Sequence, residues 1–172
     1  MNIINVTPIF LSPDQKIPNN PELPLLLYWQ VFSESNKLEH EFKEAFRRNN
    51  WAGTWTNGVF NYHHYHSIAH EVLGVAAGTA TLILGGPQGH ELTITAGDMV
   101  VLPAGTGHCK KTASSDFVVV GAYPQGQVEY DICTESDYVA EKQKNIARVP
   151  LPATDPVAGA TGPLLKHWQK KG

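Results

Sequence analysis

The chain is poor in sulfur and in charge. Its 172 residues include two cysteines, Cys109 and Cys133, and two methionines. Two cysteines are too few for a disulfide framework, so reduced thiols and a cytoplasmic location are expected. Charged residues make up 17%, and 13 basic side chains against 16 acidic ones leave a formal charge of −3. A general nucleic-acid binder would need a basic surplus, so no nucleic-acid partner is expected. No apolar run approaches the ~20 residues of a membrane span. The N-terminal stretch has no basic segment followed by an apolar one, so neither a membrane partner nor a secretory signal is expected. Hydrophobic residues at 42% exclude wholesale disorder.

Glycine and proline are segregated. Twelve of fifteen glycines lie between Gly53 and Gly126, whereas nine of twelve prolines lie in the first 24 or the last 23 residues. Glycine marks tight turns and proline stiffens arms that cannot join a sheet interior. The middle therefore reads as a turn-rich β unit with arms wrapped over it. We divide the single domain into an N-terminal arm, strand and helix (1–54), core barrel motifs (55–124) and a C-terminal strand, helix and tail (125–172). Short apolar segments predict strands at 59–68, 72–76, 80–84, 91–95, 99–102, 108–113 and 117–122, separated by Gly-rich turns, the pattern of a sandwich or barrel. Leu23–Phe32 reads as a buried strand. Leu38, Phe42, Ala45 and Phe46 form one apolar stripe on a helix over 35–50, with Ser33 or Ser35 as cap. A second helix is predicted over 135–147, after Thr134. Leu164, Leu165 and Trp168 on the tail are expected to dock on this chain or a neighbour, and the apolar surplus of both arms predicts a homodimer.

Histidine is what the chain has in excess: eight, four of them between His63 and His70. On a strand, residues two apart share a face, so His64 and His66 point together, with Tyr62 in phase. Burying two imidazoles without partners is costly, and a metal ion would satisfy both. Glu71 follows within reach of a turn, and His108 begins a later strand after a glycine-rich loop. Three histidines and one carboxylate make a mixed site that accepts Fe(II), Mn(II), Ni(II) or Zn(II) and leaves room for a substrate. Tyr62 and Lys110 are candidates for the pocket or for a supporting role: Lys110, two residues beyond His108, would bring a cation to an anionic substrate if it shares the barrel face, but a rim lysine that extends to water is the favoured reading. His63 and His70 fall off the spacing and read as surface or supporting imidazoles. Cys109 reads as a buried structural thiol, and Trp29, Trp51 and Trp55 as aromatic core.

These residues resemble the two motifs of the cupin superfamily. The first is Gly58-x5-His64-x-His66-x4-Glu71-x6-Gly78. The second is Gly97-x5-Pro103-x-Gly105-x2-His108-x3-Thr112, with Thr where the family usually has Asn. The resemblance implies a double-stranded β-helix, a jelly-roll barrel with a few peripheral helices. It implies metal ligation by His64, His66, Glu71 and His108, with Thr112 as a supporting residue.

The expected function is a metal-dependent oxidoreductase, dioxygenase-like, acting on a small organic molecule. Fe(II) or Mn(II) is expected in the cell, and Ni(II) or Zn(II) in purified protein. The alternatives are a metal-assisted isomerase or decarboxylase and a cupin that binds a small molecule without turnover.

Overall fold

Leu25–Trp29 and Met99–Leu102 are apolar at nearly every position, and packing on two faces explains why. The computed structural model describes residues 3–33 and 35–170; residues 1, 2, 34, 171 and 172, at the ends of the chain and within the N-terminal segment, lie outside it. In chain order the elements are β1 (Asn5–Ile9), β2 (Leu25–Trp29), α1 (Leu38–Arg48), β3 (Trp51–Asn57), β4 (His64–Tyr65), β5 (Glu71–Ala77) and β6 (Thr79–Leu84). There follow β7 (His90–Thr95), β8 (Met99–Leu102), β9 (His108–Ala113), β10 (Val118–Pro124), β11 (Cys133–Thr134), α2 (Val139–Arg148) and α3 (Leu164–His167). Two antiparallel sheets result, one in the order β1-β2-β8-β5-β10-β3 and the other β11-β4-β9-β6-β7. This is the jelly roll that the motifs imply, mainly β with three helices among the described residues.

Both faces of the six-stranded sheet are covered. Leu25, Leu27, Leu73, Val75, Val100 and Leu102 face inward and meet Leu82, Leu84 and Ile94 of the other sheet. Their neighbours in alternate register, Leu26, Tyr28, Val72 and Val101, face outward under Phe42 and Phe46 of α1 and Leu164 and Trp168 of the tail. A strand buried on both sides loses the polar alternation that a half-exposed strand shows. Glu71 shares the inward phase of Leu73 and Val75, so its carboxylate points into the barrel.

The C-terminal tail docks on its own chain. Asp155, fully buried, accepts hydrogen bonds from the Tyr28 hydroxyl and from the backbone N–H groups of Val157, Ala158 and Leu164, and Trp168 Nε1 donates to the Pro24 carbonyl at 2.8 Å.

Several boundaries move. The strand predicted over 59–68 shrinks to His64–Tyr65, and residues 58–63 form a loop at the barrel mouth. Ser35 accepts from the Lys37 N–H rather than capping a helix, and α1 starts at Leu38. Thr134 and Asp137 close a turn on each other, so α2 starts at Val139. Strand β1 went unpredicted; it contains Pro8, which is tolerated because β1 is an edge strand. Strand β3 runs across the division at 54/55. Among the described residues no helix is long and apolar enough to cross a membrane.

Candidate metal centre

His64 and His108 pair directly across β4 and β9. Their ring centroids lie 4.0 Å apart, and His66 joins them at 5.9 and 5.5 Å. All three rings are buried, and one nitrogen from each lies within 4.8 Å of the others. Glu71 Oε1 sits 3.4 Å from Nε2 of both His66 and His108.

The backbone fixes which nitrogen of each ring is free. His64 Nδ1 lies 3.0 Å from the Tyr62 carbonyl, His108 Nδ1 lies 3.0 Å from the Thr106 carbonyl, and His66 Nδ1 meets the Asp131 carbonyl. A carbonyl only accepts, so each Nδ1 carries the proton and donates. Each neutral ring then keeps its lone pair on Nε2. Metal-ligating histidines use this arrangement, because the donated hydrogen bond fixes the tautomer and orients the ring. The donor set fits a divalent transition-metal ion.

Electrostatics supports the same reading. Burial and the neighbouring His108 ring hold the His64 pKa down at about 3, so this ring is neutral at physiological pH. For His66, burial opposes protonation, but the Glu71 carboxylate and its hydrogen bonds outweigh it and raise the pKa. For Glu71, burial favours the neutral acid, but His66 and His108 reverse that and hold the group ionised. A buried carboxylate among imidazoles is a group waiting for a cation.

The centre forms one wall of a cavity of about 250 Å³. Trp55, Phe60, Leu73, Tyr123, Tyr130 and Ile132 also line it, together with the 56–59 segment, Thr56, Asn57, Gly58 and Val59. The Tyr123 hydroxyl accepts from Trp55 Nε1 at 2.9 Å, and its ring stacks on Tyr130 with centroids 4.5 Å apart. Burial and the nearby Glu71 charge push the Tyr123 hydroxyl well above the ordinary phenol range.

Asp131 locks this wall. Its carboxylate accepts from the Ser67 backbone N–H at 2.7 Å, from the Ser67 hydroxyl and from the Cys133 thiol at 3.1 Å. Its carbonyl holds His66. One residue between Tyr130 and Ile132 thus ties the cavity rim to the segment that follows a ligand.

The four residues proposed as ligands therefore come together, and Tyr62, Lys110 and Thr112 do not join them in the cavity wall. Tyr62 precedes β4, so strand phase does not reach it; its ring is exposed and stacks on Phe60, while its carbonyl holds His64. Lys110 is half-buried, and Thr112 is exposed opposite Thr81. His70 is no surface imidazole. It is buried, its Nδ1 accepts the Ala104 N–H at 2.8 Å, and burial holds its pKa at about 3. It thereby pins the loop that leads to His108. Cys109 and Cys133 are both free and buried.

The protein named "Uncharacterized protein YjlB" of Bacillus subtilis (strain 168) is 41% identical over 162 residues, 94% of this chain and 95% of that protein. The chain belongs to the YjlB family. No family model matches it. With both motifs and the two-sheet barrel in place, the fold of this YjlB-family chain is consistent with a cupin jelly roll. Solved structures resemble it at a lower level. Acireductone dioxygenase from Bacillus anthracis, with cadmium in its active centre, is 15% identical, with a TM-score of 0.39 over 52% of this chain and 61% of that one. The DMSP lyase DddQ from Ruegeria pomeroyi is 16% identical, with a TM-score of 0.38 over 76% and 51%. The chain spans less than two thirds of either protein, and neither lends it an activity.

Strand alternation was the overlooked signal in the YjlB-family chain. Tyr123 shares the phase of Val119, which faces inward, so alternation along β10 would have found it. Tyr130 and Ile132 lie outside any ladder, and no periodicity marks them.

Proposed function

We propose that this chain is a metal-dependent enzyme acting on a small organic molecule at the His64, His66, Glu71 and His108 centre. Its proposed reaction is an O2-dependent oxidation of the dioxygenase kind, with Fe(II) or Mn(II) as the ion in the cell. One observation carries the reading. Ligand atoms of the three histidines lie within 4.8 Å of one another, Glu71 Oε1 lies 3.4 Å from two of the rings, and all four residues line one cavity. His64, His66, Glu71 and His108 would hold the ion beside that cavity, and Fe(II) there would supply the redox chemistry that an O2-dependent oxidation needs. The chain's own residues do the rest. Three neutral imidazoles and one carboxylate leave one net positive charge on a divalent site, which holds an anionic oxygen donor. Trp55 fixes the Tyr123 hydroxyl beside Glu71, and the aromatic walls exclude water.

The test is protein stripped of metal and reloaded anaerobically with Fe(II). It should give the spin signal of a nitric oxide complex, which reports an open position, and should consume O2 with a chelating substrate. No nitric oxide signal removes the reading.

The Tyr123 hydroxyl favours a second reading. A phenol held beside the centre is placed to move a proton, as an isomerase or decarboxylase with a Lewis-acid ion requires. Turnover of a substrate without O2 uptake, lost in Tyr123→Phe, would select it.

A homodimer in a reducing compartment remains part of the proposal. Two free thiols support the compartment, and β1, an unpaired sheet edge, supports the dimer. Light scattering at micromolar concentration decides the assembly.

A further inference from the structure

Beyond the choice of reaction lies the question of what the cavity accepts. Among the described residues, neither lysine nor arginine lines it. Its charged groups are Glu71 and whatever ion the centre holds. A phosphate or second carboxylate placed here would be desolvated without a cationic partner, which is unfavourable. The walls away from the centre are mainly apolar and aromatic, from Trp55, Phe60, Leu73, Tyr130 and Ile132, and the polar residues among them, Thr56 and Asn57, carry no charge. Phe60, Tyr130 and Ile132 continue this surface to the mouth, where they are 48%, 40% and 47% exposed. Large apolar groups left in water around a cavity opening mark a surface that a ligand covers. At about 250 Å³ the cavity lies below the roughly 300–1,000 Å³ typical of drug-sized ligands.

We infer that the substrate class is a compact monoanionic amphiphile. One oxygen-donor group, of the 2-oxo or 2-hydroxy acid kind, binds the ion, and an uncharged aliphatic or aromatic body lies against Phe60, Tyr130 and Ile132. Sugar nucleotides, phosphorylated metabolites and dicarboxylates are excluded. The inference rests on the reading of the centre as a metal site, and it holds whether the chemistry uses O2 or not.

The test uses Co(II)-loaded full-length protein, whose visible spectrum reports both the donor set and any ligand that joins it. Two probes share one head and nearly one length: 4-methyl-2-oxopentanoate, with an apolar end, and 2-oxoglutarate, with a second carboxylate. The branched acid should perturb the spectrum at a concentration about tenfold or more below the dicarboxylate. Ile132→Ala and Phe60→Ala should each weaken the branched acid by about tenfold, leave 2-oxoglutarate unchanged and leave the Co(II) content unchanged. Equal or reversed affinities, no binding by either probe, or rim substitutions that weaken both probes alike would overturn the substrate class and leave the metal centre standing. Failure of Co(II) to give a histidine-ligated spectrum would overturn the metal centre itself.

Discussion

His64 and His108 face each other across two antiparallel strands, with ring centroids 4.0 Å apart. They are 44 residues apart in sequence, and the ladder brings them into direct register. Each ring is turned by a carbonyl two residues upstream, in the segment that leads into its strand, Tyr62 for one and Thr106 for the other. The pair is thus built twice by the same local rule and joined by sheet pairing.

Removing any one of the four proposed ligands should break this arrangement. His64→Ala, His66→Ala, Glu71→Gln and His108→Ala should each lower metal affinity by more than the roughly 10–100-fold expected of an outer partner. Asp131→Ala leaves all four groups in place but frees the segment behind His66, so its loss should fall within that 10–100-fold range. His63→Ala should leave metal content unchanged. Elemental analysis after dialysis against graded free metal measures all six.

Acid should destabilise the metal-free protein early. His64 and His70 have pKa values held at about 3, against 6.5 for an ordinary histidine. Between those values the unfolded chain takes up two protons that the folded chain does not, so stability falls as pH falls. The slope is about 1.4 kcal/mol per pH unit for each group. The raised His66 pKa works the other way, but its contribution is complete below 6.5 and adds no slope between pH 6 and 5. His70→Asn keeps an acceptor for the Ala104 N–H and should roughly halve the slope. Urea midpoints at pH 6 and 5 test this.

Two motif glycines should behave differently. Gly105 has φ of +92°, and a Cβ there would lie 2.7 Å from the Asn19 carbonyl oxygen and from Ile146 Cδ1. Gly105→Ala should lower stability by about 1–3 kcal/mol. A Cβ at Gly58 meets nothing within 4 Å, so Gly58→Ala should leave stability unchanged. Chemical denaturation of both variants checks the contrast.

Trp168 ties the tail to the outer face of the six-stranded sheet. It is buried and bonded to Pro24. Trp168→Ala should cost about 3–5 kcal/mol, a core penalty from a residue of the tail. A loss below 1 kcal/mol in denaturation would show that the tail is not docked.

The sequence by itself determined the barrel and the four proposed ligands. Strand period and motif spacing are local properties, and His64, His66, Glu71 and His108 each sit at or beside the start or end of a strand that those properties locate. The apolar runs of β2, β5 and β8 were equally legible, because burial on both faces writes itself as unbroken hydrophobicity. Tertiary structure decided what surrounds the centre. Strand phase does not reach Tyr62, because its ladder is two residues long, and Tyr62 meets His64 through its carbonyl instead. Lys110 keeps the phase of His108, opposite Leu82, but lies farther along β9 than the residues that line the cavity. His70 looked like a spare imidazole, and its partner Ala104 is 34 residues away. Tyr130 and Ile132 reach the cavity from an irregular segment held by the contact of Asp131 with Ser67. Such contacts join residues far apart in sequence through single hydrogen bonds, which have no period, so only the folded chain reveals them.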